Sequence, residues 1–239
     1  MANMADMLGV PKLGRRSRPF LIAFLVLCFL PIGGVLVHAL VPPPVTMLMA
    51  QQAVGGHGLD YRWRGLNDIS PNLVYSAIAA EDARFCAHRG FDMEAIQKAL
   101  AHNEGGGKVR GGSTISQQTA KNVFLWPGRD WIRKGLEAGY TVLIETLWGK
   151  RRTLEVYLNV AEWAPGVYGA EAAARHWFGK SARDLTPQQA ARLAAILPSP
   201  RGYKAAPPGP YVRRRAARIQ ASARVVRNEG LASCVIRPR

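Results

Sequence analysis

The hydrophobic pattern opens with an apolar run. Residues 20–41 read FLIAFLVLCFLPIGGVLVHALV, 22 residues without Asp, Glu, Lys or Arg. As a helix rising about 1.5 Å per residue, this stretch reaches about 33 Å, enough for a bilayer core of about 30 Å. Lys12, Arg15, Arg16 and Arg18 precede it, and the next basic residue after it is Arg62. The positive-inside rule then predicts a cytoplasmic basic segment over 1–19 and one transmembrane helix over 20–41. The rest of the chain would lie outside, in the periplasm of a cell that has one. The rival reading, a cleaved signal peptide, fits less well: the run is long and Val37-His38-Ala39 is a poor cleavage site.

Beyond a Pro- and Gly-rich stem over 42–60, the apolar positions recur with helical period. Ser70-Pro71 forms an N-cap and first-turn pair, and Leu73, Val74, Ala77 and Ile78 predict a helix over 71–85. Asp92 can cap a helix to about residue 102. The glycines of 105–112 predict an irregular loop. Ser113 then caps a helix to about 125, Pro127-Gly128 breaks it, and Asp130 caps a long helix to about 148. Further helices are predicted over 150–158, 169–178, 187–197 and 210–228. Thr186 and Gln189 fit a capping box, and Gly230 fits a terminating position. Few stretches alternate with period two. The fold class is therefore mostly α, with one domain over 61–230 and a tail over 231–239.

Charge adds a partner to this picture. The chain has 239 residues, with 32 Lys and Arg against 16 Asp and Glu, a net +16, and 48% hydrophobic residues. That composition excludes an acidic disordered chain and a small disulfide scaffold. The excess implies an anionic partner: nucleic acid, a membrane surface or a phosphorylated substrate. The apolar run turns the expectation from nucleic acid to the membrane. Arg213, Arg214, Arg215 and Arg218 read as a basic face towards lipid or wall polymer. Cys28 falls in the apolar run. Cys86 and Cys234 read as two unpaired thiols, with a disulfide as the alternative that an oxidising compartment permits. No CxxC or Cys/His cluster suggests a metal.

Three groups of residues could carry chemistry. Glu81 lies near the end of an apolar helix, sharing a face with Ala77, Ile78 and Phe85. A carboxylate so placed has its pKa raised by desolvation and suits acid–base work; the bland reading is a helix glutamate paired with Arg84 or another base. Next, a glycine loop runs into Ser113-Thr114-Ile115-Ser116-Gln117-Gln118, with Lys121 two turns on. Such a helix N-terminus accepts phosphate oxygens; the bland reading is a mobile loop before a capped helix. GKVRGGST lacks the Lys that a Walker motif needs before its Ser, which argues against nucleotide binding. Third, Arg129, Arg133, Lys134 and Glu137 form either a solvated salt-bridged face or a diphosphate clamp.

Together these motifs resemble one family. EDxxFxxHxGFD (Glu81, Asp82, Phe85, His88, Gly90, Phe91, Asp92) is followed by GGSTISQQxxKN (Gly111, Gly112, Ser113, Thr114 through Gln117 and Gln118, then Lys121 and Asn122). RKxxE (Arg133, Lys134, Glu137) and LExYLN (Leu154, Glu155, Tyr157, Leu158, Asn159) complete the set. The order is similar to that of the peptidoglycan glycosyltransferases of family 51, in a chain without a penicillin-binding domain. Ser116 departs from the more usual Thr but keeps the hydroxyl.

The resemblance implies a lysozyme-like, mostly helical domain with a smaller membrane-proximal jaw. It implies polymerisation of lipid II into β-1,4-linked glycan with release of undecaprenyl diphosphate, and no transpeptidase activity. Glu81 would be the general base. Ser113, Gln117, Gln118, Lys121, Arg129, Arg133 and Lys134 would bind substrate and diphosphate, and Glu137 would be a second essential carboxylate. Asp82, Phe85, His88, Gly90, Gly111, Gly112, Thr114 and Asn122 would support the motifs. The implied partners are lipid II, the growing glycan chain, the inner membrane and proteins of division or elongation. A divalent cation, Mg²⁺ or Mn²⁺, is the one cofactor left open. Moenomycin is an inhibitor associated with the family.

Overall fold

The structure, a computed structural model, describes residues 18–104, 112–128 and 130–236, except for the side chains of 22–28. Among the described residues there are ten α-helices: α1 Arg18–Leu40, α2 Met47–Gln52, α3 Pro71–Glu81, α4 Met93–Glu104, α5 Ile115–Phe124, α6 Trp131–Leu147, α7 Gly149–Val160, α8 Ala170–Phe178, α9 Pro187–Ile196 and α10 Pro210–Asn228. Local chemistry sets their ends. The Ser70 hydroxyl accepts from Asn72 N–H ahead of Pro71, Asp130 accepts from Arg133 N–H, and Thr186 and Gln189 form the expected box. Gly230 takes a positive φ after α10, with Leu231 N–H donating back to Val226 C=O.

Two apolar cores lie on either side of α7. The larger joins α3, α9 and α10 through Leu73, Ala77, Ile78, Leu193, Val212 and Ile219, and includes Trp163. The smaller holds Val35, Met49, Ala120, Ile144, Trp148 and Tyr168, from α1, α2, α5, α6 and the strand pair. Helix α7 supplies Leu154, Tyr157 and Leu158 to the first core and Val156 and Val160 to the second. Its apolar residues thus face two ways, and one helix fixes the geometry of the two lobes.

The sequence pattern missed a small sheet. Strands β1 Asp60–Tyr61, β2 Glu162–Ala164 and β3 Val167–Tyr168 pair in the order β1-β3-β2, parallel for β1 with β3 and antiparallel for β2 with β3. Two- and three-residue strands are too short to show a period-two pattern. Within the stretch read as a stem, Met49 is fully buried and Tyr61 donates from its hydroxyl to Pro43 C=O at 2.7 Å.

The end of α1 is fastened to the body. Trp148 Nε1 donates to Val35 C=O at 2.7 Å. The Arg152 guanidinium donates to His38 C=O at 2.9 and 3.1 Å and to Val41 C=O at 3.0 Å. Among the described residues, no helix is long and apolar enough to cross a membrane. The side chains of 22–28, the centre of the predicted span, lie outside that description.

Cys86 and Cys234 form a disulfide, with their Cα atoms 5.6 Å apart, which corrects the reading of two unpaired thiols. The bond ties the segment after α3 to the turn beyond α10 across 148 residues of sequence. A separation of that length hides the pairing from any local pattern.

Candidate active site

Glu81 is the last residue of α3, so the helix stops four residues before the predicted end. Asp82 explains the stop. Its Oδ2 accepts from Ile115 N–H at 3.0 Å and its Oδ1 from His88 Nε2–H at 2.9 Å, which draws the chain out of the helix. Phe85 is therefore buried from the following turn and does not share a helical face with Glu81.

Glu81 sits beside an open cleft of about 340 Å³, also lined by Ala79, Ala80, Asp82, Lys98, Gly112, Ser113 and Thr114. Its Oε2 accepts from Gln118 Nε2 at 3.0 Å. Its Oε1 lies 3.7 Å from the Arg215 guanidinium of α10. Burial pushes the Glu81 carboxyl above its ordinary pKa, against the opposing pull of Gln118, Arg215 and Lys121 and with a further push from Asp82. The pairing with Arg84 does not form, since Arg84 reaches Glu94 and lies 3.8 Å from Asp92; the basic partner of Glu81 is Arg215 instead. A carboxylate with a raised pKa on a solvent-reaching cleft can accept a proton from a hydroxyl near neutral pH.

The N-terminus of α5 forms the neighbouring wall. Thr114, rather than Ser113, is the N-cap, accepting from Gln117 N–H and donating from its hydroxyl to Gly90 C=O at 2.6 Å. Ser113 is left exposed on the cleft rim. Gln117, expected to touch substrate, accepts from Thr114 N–H and completes a capping box. Two motif glycines are steric requirements. A Cβ at Gly90, whose φ is +89°, would fall 2.8 Å from Thr141, and one at Gly112 would fall 3.3 Å from the Ile96 Cα. Gly111 lies outside the described residues. Asn122 is half-buried on α5.

The Ser116 hydroxyl has a defined partner. It donates to Glu145, which also pairs with Lys150 at 2.8 Å. The Lys150 ammonium stands 4.5 Å from the centroid of the Phe85 ring. This polar knot joins α5, α6, α7 and the Asp82–His88 segment. Neither Glu145 nor Lys150 stood out in the sequence, although their separation of five residues across the α6–α7 turn places both on the wall facing α5.

Arg133, Lys134 and Glu137 form a second cluster on α6, and none of them lines the Glu81 cleft. Glu137 is only 3% exposed and pairs with Lys134 and, at 3.6 Å, with Arg133. The Arg133 side chain is itself buried, and its Nε and one terminal nitrogen have no hydrogen-bond partner. Buried donors without acceptors are costly in an isolated fold and suited to an arriving oxyanion. Lys121 belongs to the last turn of α5, which packs beside α6. Arg129 lies outside the described residues.

The donor set does not favour a divalent cation at Glu137, whose carboxylate is closed by two cationic partners. Asp82, His88 and Asp92 bring one ligand atom each within 4.8 Å of one another. Hydrogen bonds within the chain account for that trio: Asp82 serves Ile115 and His88, and Asp92 caps α4 by accepting from Ala95 N–H at 3.0 Å.

Arg215 departs from the basic face expected towards lipid or wall polymer: it turns to Glu81 while Arg213, Arg214 and Arg218 stay exposed. The signal was its spacing. It stands three residues after Val212 and four before Ile219, both buried, so it lies on the inward edge of α10.

A half-buried glutamate beside a cleft, a capped helix N-terminus and a clustered cation set define a class. The transglycosylase family model matches residues 49–224, and the chain belongs to that family. Among curated proteins, it is 60% identical to the biosynthetic peptidoglycan transglycosylase of Caulobacter vibrioides over 222 residues, covering 92% of this chain and 97% of that protein. It is 57% identical over 203 residues to the protein of the same name from Pseudomonas aeruginosa, covering 82% and 88%. The Rhodospirillum centenum protein of that name is 51% identical over 230 residues, covering 96% and 98%.

Proposed function

We propose that this protein is a peptidoglycan glycosyltransferase of cell-wall biosynthesis, polymerising lipid II into glycan strands. The observation that carries the reading is the Glu81 carboxylate, half-buried at the end of its helix and open to a cleft, with donors on α5 and α6 beyond it. The acceptor 4-hydroxyl attacks the anomeric carbon of the donor sugar, and Glu81 takes its proton. The new C–O bond forms as the bond to the lipid diphosphate breaks, and the diphosphate leaves with the electron pair. Direct displacement converts an α-linked donor into a β-1,4 product without a covalent glycosyl-enzyme. Charge grows on the departing diphosphate, so cations aimed there act most strongly in the transition state. Lys121, Arg133 and Lys134 take that role, with Arg129 assigned to it from the motif. Glu137 holds Arg133 and Lys134 at their spacing. Ser113 on the rim and Gln118 at the base orient the sugars.

The larger lobe reads as a lysozyme-like body and the smaller as a membrane-proximal jaw. The apolar run 20–41, with its basic N-terminal flank, supports a single-pass anchor in the inner membrane, the N-terminus in the cytoplasm and the catalytic domain in the periplasm. The exposed Phe29, Leu30, Leu36, Val37 and Leu40 of α1 fit that placement. So does a further apolar surface on α6, where Trp131 is 91% and Ile132 76% exposed.

The decisive experiment incubates the full chain with purified lipid II. Long glycan strands, blocked by moenomycin, are expected. Release of short fragments from finished glycan, with no polymer from lipid II, would instead make the protein a cleaving enzyme. Protease protection in spheroplasts, with digestion expected only from the outer face, tests the topology.

A further inference from the structure

The surroundings of Glu81 contain a cation that the reaction above does not use. Each carboxylate oxygen has its own neighbour from a different helix: Gln118 of α5 donates to Oε2, and Arg215 of α10 faces Oε1 at 3.7 Å. Arg215 arrives from 134 residues away in sequence, on a helix packed directly against α3. Its Nε is buried and has no hydrogen-bond partner, so that edge of the guanidinium is held without the compensation water would give it. Its position is fixed from behind, by Val212, Ala216 and Ile219 in the core.

We propose that Arg215 is a positioning residue for the general base: it keeps the Glu81 carboxylate charged and turned to the cleft, against the pull of its apolar seat. The inference rests on the reading of Glu81 as the base. The other groups facing Glu81 do not substitute for it. Asp82, next in the chain, opposes ionisation of Glu81, and Tyr157 of α7 approaches it as a neutral phenol, its own pKa pushed well up by burial and by these carboxylates. Gln118 orients but carries no charge. Lys121 of α5 does favour the carboxylate, but it belongs to the proposed diphosphate set. An arriving diphosphate takes up the Lys121 charge at the moment when the base must be ionised. Arg215, on α10 and outside that set, keeps its charge available. Its effect is therefore greatest in the substrate complex, where the pH dependence of kcat reports the pKa of the base.

The test is the pH–rate profile of lipid II polymerisation by the full chain, measured for wild type, R215Q and R215K. Removing an opposite charge at this distance raises a carboxyl pKa by about one unit or more. R215Q is expected to move the acid limb of kcat to higher pH by about that amount, whereas R215K keeps it close to wild type. Should R215Q fail to fold by circular dichroism, R215M, which keeps an apolar stem in the core, takes its place. A glutamine or methionine variant with an unmoved limb would overturn the assignment. So would an R215K limb displaced as far as that of R215Q, because charge would then be irrelevant. E81Q separates the two layers. If E81Q turns over at the wild-type rate, the base reading itself fails; if E81Q is inactive and the Arg215 profiles do not move, only the positioning role fails.

Discussion

Glu81 and Glu137 both sit on helical walls, yet their surroundings differ: the first is half-buried beside a cleft, the second buried against two cations. Glu81 ends a helix whose neighbours are alanines, an isoleucine and a tyrosine, and it meets one amide and, at 3.7 Å, one guanidinium. Glu137 sits in the middle of a helix between two close cations. Desolvation dominates at the first site and leaves a carboxylate that can take up a proton. At the second, two cationic side chains close around the carboxylate, which suits it to holding them in place. Two residues of one type acquire separate roles from burial and partners alone.

The sharpest way to break that contrast is to remove the acid–base capacity while keeping the shape. Glu81→Gln should lower the polymerisation rate by about 10²–10⁴-fold, with the unfolding midpoint little changed. Appreciable turnover in that variant would remove Glu81 from the role of base. Glu137→Gln should cost less, about 10²-fold, because it acts through the placement of Arg133 and Lys134. A loss of only two- or three-fold would reduce this cluster to a salt-bridged face.

A fully buried glutamate outside the cleft lining serves as a control. Glu171 accepts from Ala182 N–H at 2.8 Å, Ser181 Oγ at 3.1 Å and Arg175 Nε at 2.7 Å. Burial alone would push its carboxyl up, but these donors together with Arg64 hold it below its ordinary value. Its stabilising contribution is therefore present above the unfolded carboxyl pKa of about 4.3 and is lost as pH falls through the depressed folded value. Glu171→Gln should lower stability at pH 7 by about 1–3 kcal/mol in denaturant melts. It should also flatten the loss of stability below about pH 4. Equal acid sensitivity of the two proteins would count against Glu171 as the source. The smallest effect is expected at Ser116. Removing its hydroxyl as Ser116→Ala frees one oxygen of Glu145, which Lys150 still holds, so kcat should fall by only a few-fold, on the order of 1 kcal/mol. A loss as large as that of Glu137→Gln would place Ser116 in contact with substrate.

Local signals carried most of the helices. Ser70-Pro71, Asp130, Thr186-Pro187 and Gly230 each act within one turn, and the chain folds there as the pattern indicates. Errors arose where a distant partner overrode the local choice. Asp82 leaves α3 early because Ile115 N–H, 33 residues on, needs an acceptor. Thr114 displaced Ser113 as the cap because Gly90 C=O offered its hydroxyl a second bond. The disulfide and the Arg215–Glu81 approach join segments more than a hundred residues apart, and a one-dimensional pattern contains no such distances. For the same reason, the residue types of the site were legible as motifs, whereas the knot of Ser116, Glu145 and Lys150 behind them was not.

The fastening of α1 has a mechanical meaning. Trp148 and Arg152 grip the backbone at Val35, His38 and Val41, and Tyr61 grips Pro43 just beyond. On the proposed anchorage, the membrane segment is then a bracket rather than a leash. The cleft would then stand at one height above the lipid and at one tilt to the membrane normal. Each strand it extrudes would leave on a heading set by the mounting of the enzyme.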